Sequence, residues 1–228
     1  MQVADCYIHV RYRRLEPREF ERLSNELFEV ATDLARTVRR AHDLDFTFEE
    51  GSLIQRILLA GTFLFTGLDA ASHYHDLRES IVEMVHDGET FSDYAIKRFH
   101  ELTNTTPKQE VYKRTTSRDM NRLHRIVSNF DKAARGNMSR TGLLHARSEV
   151  IHDVAGLARA NPDDPEIETI LHLLPRDRIP DLPSTPLDAI AIDERDHEHR
   201  PLFHEEPEAV ARPRPRRRFH KHSVLPRR

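Results

Sequence analysis

Two stretches of this sequence place an arginine and a histidine five and six residues apart: Arg147-Ser-Glu-Val-Ile-His152 and Arg118-Asp-Met-Asn-Arg-Leu-His124. A histidine can move the proton of a 2′-hydroxyl, and a guanidinium can steady the charge that develops at phosphorus. Arg118, His124, Arg147 and His152 are therefore the candidate catalytic residues of the alternative, enzymatic reading. Metal-ligand chemistry has three candidate groups. Asp69, His73 and Asp76 share one helical face, with Tyr74 and His75 beside them, and His145, Glu149 and His152 repeat that geometry. His197, His199, His204, His220 and His222 crowd the C-terminal region. The plainer reading of each group is a solvated polar surface, so no metal and no cofactor is expected.

The arginine–histidine spacing resembles that of the HEPN ribonucleases, helical proteins whose dimers juxtapose the two side chains to cleave RNA. Asp119 follows its arginine as that pattern expects, whereas Ser148 departs from it. Other enzyme signatures are absent. The seven glycines form no phosphate-cradling loop, and there is no G-x-S-x-G, H-E-x-x-H or paired C-x-x-C. The single cysteine, Cys6, excludes an intramolecular disulfide, so a reducing, cytoplasmic setting is the expectation and a small buried core residue its role. The N-terminal residues lack the basic segment and apolar core of a signal peptide.

The elements that would position these side chains follow from apolar periodicity. Cys6, Ile8, Val10 and Tyr12 alternate with Tyr7, His9 and Arg11, which predicts a strand with one packed face. Pro17 opens an amphipathic helix in which Phe20, Leu23, Leu27, Ala31, Leu34, Val38 and Ala41 recur at steps of three and four. A second alternating strand, Leu44, Phe46 and Phe48, stops at Gly51. Ser52 and Gln55 then read as a capping box starting an apolar helix over Leu53–Leu68. Further stripes predict helices at Leu77–Val85 and Phe91–Leu102, separated by a break at Asp87-Gly88, then at Met120–Ala134 and Leu143–Ala158.

The apolar segment decides between core and membrane. Ile57 to Leu68 are twelve uncharged residues, about 18 Å of helix against a hydrocarbon thickness of about 30 Å. Extension to residues 53–71 reaches a spanning length only by including Arg56 and Asp69. A central core helix is the leading expectation, and a membrane-associated effector the alternative.

From Asn161 onward proline density rises, and apolar periodicity is confined to Ile167–Leu174. The formal net charge of −3 conceals a polarised tail. Asp193 to Glu208 is acidic, whereas Arg212, Arg214, Arg216, Arg217, Arg218, Lys221, Arg227 and Arg228 form a basic arm able to contact phosphates or a protein partner. The expected architecture is α+β, mostly α. A small two-stranded N-terminal sheet packs on a bundle of about five to six helices over residues 1–160, and residues 161–228 form an extended tail with one short helix.

The order strand, helix, strand ending Glu49-Glu50-Gly51-Ser52, apolar helix, then Tyr74-x-x-Leu77-Arg78 and Phe91-Ser92, resembles uncharacterised bacterial proteins, some of them neighbours of antiphage defence genes. The likeness covers residues 5–135. It implies a non-enzymatic accessory or effector role in a bacterial complex, with a protein partner or a second copy of the chain. Docking would fall to the tail, because an unfolded arm can order on contact. The basic residues of 212–228, which lie outside the likeness, offer nucleic acid as a further possible partner.

Overall fold

A computed structural model describes residues 1–12, 15–38, 40–50, 52–62, 73–136, 138–198 and 217–225. Alternation builds the sheet. In β1 (Gln2–Val10), Ala4, Cys6, Ile8 and Val10 are buried on one face. Leu44, Phe46 and Phe48 do the same in β2 (Ala41–Glu49), and Leu53, Gln55, Ile57 and Leu59 in β3 (Leu53–Gly61). β3 lies between β1 and β2 and is antiparallel to both. β4 (Glu110–Arg114) adds to the other side of β1, and β5 (Arg218–Val224) to the other side of β2, giving the order β4-β1-β3-β2-β5.

Two helices cover the apolar face of this sheet. Pro17 fits the first turn of α1 (Pro17–Ala35), where its missing N–H costs nothing, and Phe20, Leu23, Leu27 and Ala31 bury the stripe read from the sequence. Phe20 stacks on Phe48 with ring centres 5.2 Å apart, and Phe28 meets Phe46 edge-on at 5.8 Å. Phe99 of α2 (His73–Thr103) reaches Phe48 at 6.4 Å. The order β1-α1-β2-β3-α2-β4, with β3 inserted between β1 and β2, is the split β-α-β arrangement of ferredoxin-like folds. β5 extends it at one edge.

The expected two-stranded sheet is therefore a five-stranded one, and the segment opening at Leu53 is a strand rather than a helix. Ser52 consequently caps no helix, and Gln55 closes no capping box but is buried within β3. Gly51 and residues 63–72 lie outside the described residues. The physical reason is position. An interior strand is fully covered on one face and partly covered on the other, so its side chains are apolar on both, and such a short run has the same appearance as a buried helix. Gly61 ends the strand where a Cβ would stand 2.5 Å from a Val3 methyl carbon. The break expected at Asp87-Gly88 is likewise absent, because α2 continues through it. A Cβ on Gly88 would fall 2.8 Å from the Val3 carbonyl oxygen, so glycine there serves close approach of helix to strand.

Contacts group the chain into two compact units. The first comprises Met1–Thr62, Glu83–Met120 and Ala209–Arg228, and the second Phe63–Val82 and Asn121–Glu208. The second unit is helical among its described residues. α3 (Arg118–Ala134) supplies Leu123, Ile126, Val127 and Phe130 to its core and ends before Gly136, whose φ of +69° suits a helix terminus. α4 (Arg140–Ala160) begins at Ser139, whose hydroxyl accepts the Gly142 amide at 3.1 Å. α5 (Pro165–Leu173) and α6 (Pro186–Glu198) follow in the region expected to be extended. α6 is fastened by buried Asp193, whose carboxylate meets His152 at 2.9 Å and Arg159 at 2.8 Å on α4.

Candidate binding face of the sheet

The face of the sheet opposite α1 and α2 carries the other half of each strand's side chains. On β1 and β3 these are Asp5, Tyr7, Ile54, Arg56 and Leu58, and on β2 Asp43, Asp45, Thr47 and Glu49. β4 adds Tyr112 and Arg114, and β5 adds Arg218, His220 and His222. Strand pleat puts them all on one side, since Tyr7 stands opposite Arg56, Arg56 opposite Thr47, and Thr47 opposite His220.

Charges on this face are paired across strands. Buried Asp5 receives Arg114 at 2.7 Å and Arg56 at 3.4 Å. The Arg114 guanidinium titrates above its usual range because it donates to the Tyr112 hydroxyl and to Asp5. Tyr112, half exposed, meets the ring of Tyr7 edge-on at 5.5 Å. Toward the other edge Arg218 pairs with Glu49 at 3.2 Å, His220 with Asp45 at 2.5 Å and His222 with Asp43 at 3.4 Å. Between these two groups lies a concavity of about 130 Å³. Tyr7, Ile54 and Leu58 give it apolar walls, and Asp45, Glu49, Arg56 and Arg218 give it charged ones.

No family model, curated protein or solved structure matches this chain. The residues themselves must carry any functional argument. Of the basic arm, Arg217, Arg218 and Lys221 are described, and they belong to the sheet rather than to an extended tail. Arg217 lies 3.4 Å from the buried Glu50 carboxylate and its carbonyl accepts the Glu50 amide at 3.0 Å, while the other Glu50 oxygen accepts the Leu15 amide at 3.2 Å. Lys221 sits over the Phe28 ring at 4.8 Å, and Phe219 meets Phe46 at 6.0 Å. Arg212, Arg214, Arg216, Arg227 and Arg228 lie outside the described residues.

The arginine–histidine pairs do not converge. Five residues along α4 turn its surface by about 140°, so Arg147 and His152 leave the helix on different sides. Arg147 donates to the Asp181 carbonyl at 2.9 Å, and His152 bonds Asp193. Arg118 and His124 are each exposed on α3.

The ligand groups are dispersed in the same way. His145 pairs with Glu149 at 3.4 Å, and Glu149 also accepts from Asn129 at 3.1 Å, whereas His152 belongs to Asp193. Asp69 and the side chain of His73 are outside the described residues, and His75 pairs with Glu79 at 3.1 Å. Tyr74 is a packing residue of the second unit. Its ring lies 5.9 Å from Phe130 and beneath Arg178 at 5.2 Å, and burial together with Asp131 pushes its hydroxyl up to about 12. His199, His204 and the side chain of His197 lie outside the described residues. Among the described residues no three histidine, cysteine or carboxylate side chains come together as a metal site. Nor is any described helix long and apolar enough to cross a membrane. Cys6 is fully buried, as expected, and burial, then the neighbouring Asp5 and Asp93, drives its thiol far above the usual range.

None of the open-face residues except Arg218, His220 and His222 was singled out as a candidate from sequence. The signal was present in Asp43, Asp45, Thr47 and Glu49, which alternate with Leu44, Phe46 and Phe48. Such spacing marks a wet face, but nothing local says which distant strand supplies its partners.

Proposed function

We propose that this chain is a non-enzymatic binding component of a multiprotein complex, acting in the cytoplasm, and that a protein partner docks on the open face of its sheet. The observation that carries this reading is the concavity: apolar walls of Tyr7, Ile54 and Leu58, ringed by charges already paired with one another. Apolar side chains set among paired charges recur in protein interfaces, which carry aromatic groups and arginine alongside hydrogen-bonding partners. At about 130 Å³ the concavity suits a single side chain of a partner. Small-molecule and cofactor pockets are larger, about 300–1,000 Å³. Phosphate recognition is disfavoured by the same pairing, because Arg56, Arg114 and Arg218 each face a carboxylate of this chain. The bacterial setting, and a role in defence against mobile elements, rest on the sequence resemblance and complete the reading.

A photo-crosslinking residue at Thr47, which borders the concavity, should capture the partner in cells. The purified partner should then bind the chain in calorimetry and lose that binding on Thr47→Arg, which fills the concavity without reaching the core. Partner binding unaffected by Thr47→Arg would sink the reading. So would tight binding of single-stranded RNA or DNA that this substitution abolishes.

A further inference from the structure

Two surfaces of the molecule combine exposed apolar side chains with charge of a single sign, and the signs are opposite. The first is a groove in the first unit. Where α1 runs out, Leu34 and Val38 face Phe91 and Tyr94 of α2 across a space of about 250 Å³, whose lining is completed by Thr37, Thr90 and Asp87. Asp87, Thr90, Phe91 and Tyr94 recur at helical spacing, so this wall of the groove runs for about two turns. Tyr94 is 48% exposed, and among the described residues no cation pairs with Asp87. From residue 83 to residue 96 the carboxylates Glu83, Asp87, Glu89 and Asp93 occur without a lysine or arginine. The second surface is the end of the α3–α4 hairpin in the second unit. Asn129 donates to Glu149 and Arg125 to Asp153, so the two helices run antiparallel and bring their joined ends together. That end carries Lys132, Arg135 and Arg140, all exposed and, among the described residues, without a carboxylate partner. Residues 132–148 contain no Asp or Glu. Leu144, one turn beyond Arg140 on the same face of α4, is 59% exposed.

We propose that the α3–α4 hairpin end of one copy of this chain seats in the α1–α2 groove of a second copy, with Arg140 on Asp87 and Leu144 against Phe91 and Tyr94. The spacing agrees, because Arg140 and Leu144 stand one helical turn apart on α4, as Asp87 and Phe91 do on α2. A charge and an apolar side chain therefore meet their counterparts in step, in the manner of a helix laid in a groove. Charge order selects this occupant. Lys132 and Arg135 add to the positive hairpin end, and Glu83, Glu89 and Asp93 to the negative helix of the groove. Groove on groove or hairpin on hairpin would set like charges together. A contact between two different surfaces is heterologous, so each associated pair keeps one free groove and one free hairpin end, and growth continues past the dimer unless a ring closes. The groove shares no residue with the concavity on the open face of the sheet, and the two proposals stand apart.

Sedimentation of the full-length chain tests this. One groove and one hairpin end bury a small area, so association is expected near about 100 μM. At low salt the average mass should climb with concentration past that of a dimer, and in about 1 M salt it should fall toward the monomer. Asp87→Arg and Arg140→Glu, each made alone, should stay monomeric. The double variant, and an equimolar mixture of the two single variants, should associate again, because every contact then joins opposite charges. Leu144→Asp removes the apolar contact at an exposed position and should also be monomeric. A monomer mass for the unaltered chain, single variants that associate as it does, or a double variant that stays monomeric with an unchanged circular-dichroism melt would overturn the proposal. Thr47→Arg should associate normally and Asp87→Arg should still bind the partner of the open face, so failure of one reading is distinguishable from failure of the other.

Discussion

The two faces of the sheet differ in how much each residue type is constrained. Under the helices, Leu44, Phe46 and Phe48 are wholly enclosed, with Phe46 against Phe28 of α1, and Phe48 against Phe20 of α1 and Phe99 of α2. On the open face the same strand, β2, presents Asp43, Asp45 and Glu49, whose partners are side chains of β5 with side-chain exposures of about a half. One strand thus spends alternate residues on stability and on surface chemistry. The lesson is that the covered face is specified by volume and the open face by charge order, so a substitution acts through different physics depending on the parity of its position.

Phe46→Ala should break the covered face most severely. Truncating a fully buried phenylalanine costs about 3–5 kcal/mol, to be read from chemical denaturation of the full chain, and Thr47→Ala beside it should stay within about 0.5 kcal/mol. Removing the latch should cost less. Arg217→Ala leaves the buried Glu50 carboxylate without its guanidinium, and we expect a loss of about 1–3 kcal/mol, together with protease cleavage between residues 198 and 218 that releases β5. A loss of stability without release of the strand would show that Arg217 supports the Glu50 turn rather than the strand. Gly88→Ala tests whether α2 must lie so close to β1. The added methyl meets the Val3 carbonyl, so about 1–3 kcal/mol is expected, while a neutral result would mean that the helix can move away at no cost. Smallest of all is Arg218→Ala. Its guanidinium is 60% exposed, so the pair with Glu49 should contribute under about 1 kcal/mol, vanishing in molar salt.

The legibility of the fold follows the same division. α1, α3, α4 and the strands at β1 and β2 could be read because their apolar residues recur at one period with a polar face beside them, as Phe20, Leu23, Leu27 and Ala31 do. β3 could not, since Ile54 and Leu58 on its open face are as apolar as Ile57 and Leu59 beneath the helices. β5 was illegible for the opposite reason. Arg-Phe-His-Lys-His-Ser-Val has few strand-forming side chains, and its conformation comes from the acidic edge of β2, more than 160 residues earlier in the sequence. α6 is similarly decided by Asp193 reaching Arg159 and His152, a contact that no local window contains. The open face combines both difficulties: its acidic row is local and visible, whereas its basic row arrives from the far end of the sequence.

That late arrival has a consequence for biosynthesis. Synthesis runs from β1 through β4 and then through about a hundred further residues before β5 is made. At about 5–20 residues per second this interval lasts roughly 5–20 s, during which α1 and α2 can already cover their side of the sheet while the outer edge of β2 remains bare. For those seconds β2 rather than β5 is the edge of the sheet, and the acidic residues Asp43, Asp45 and Glu49 guard it. Their charge, which pairs with β5 in the finished protein, first acts as a placeholder that discourages other strands from taking its seat.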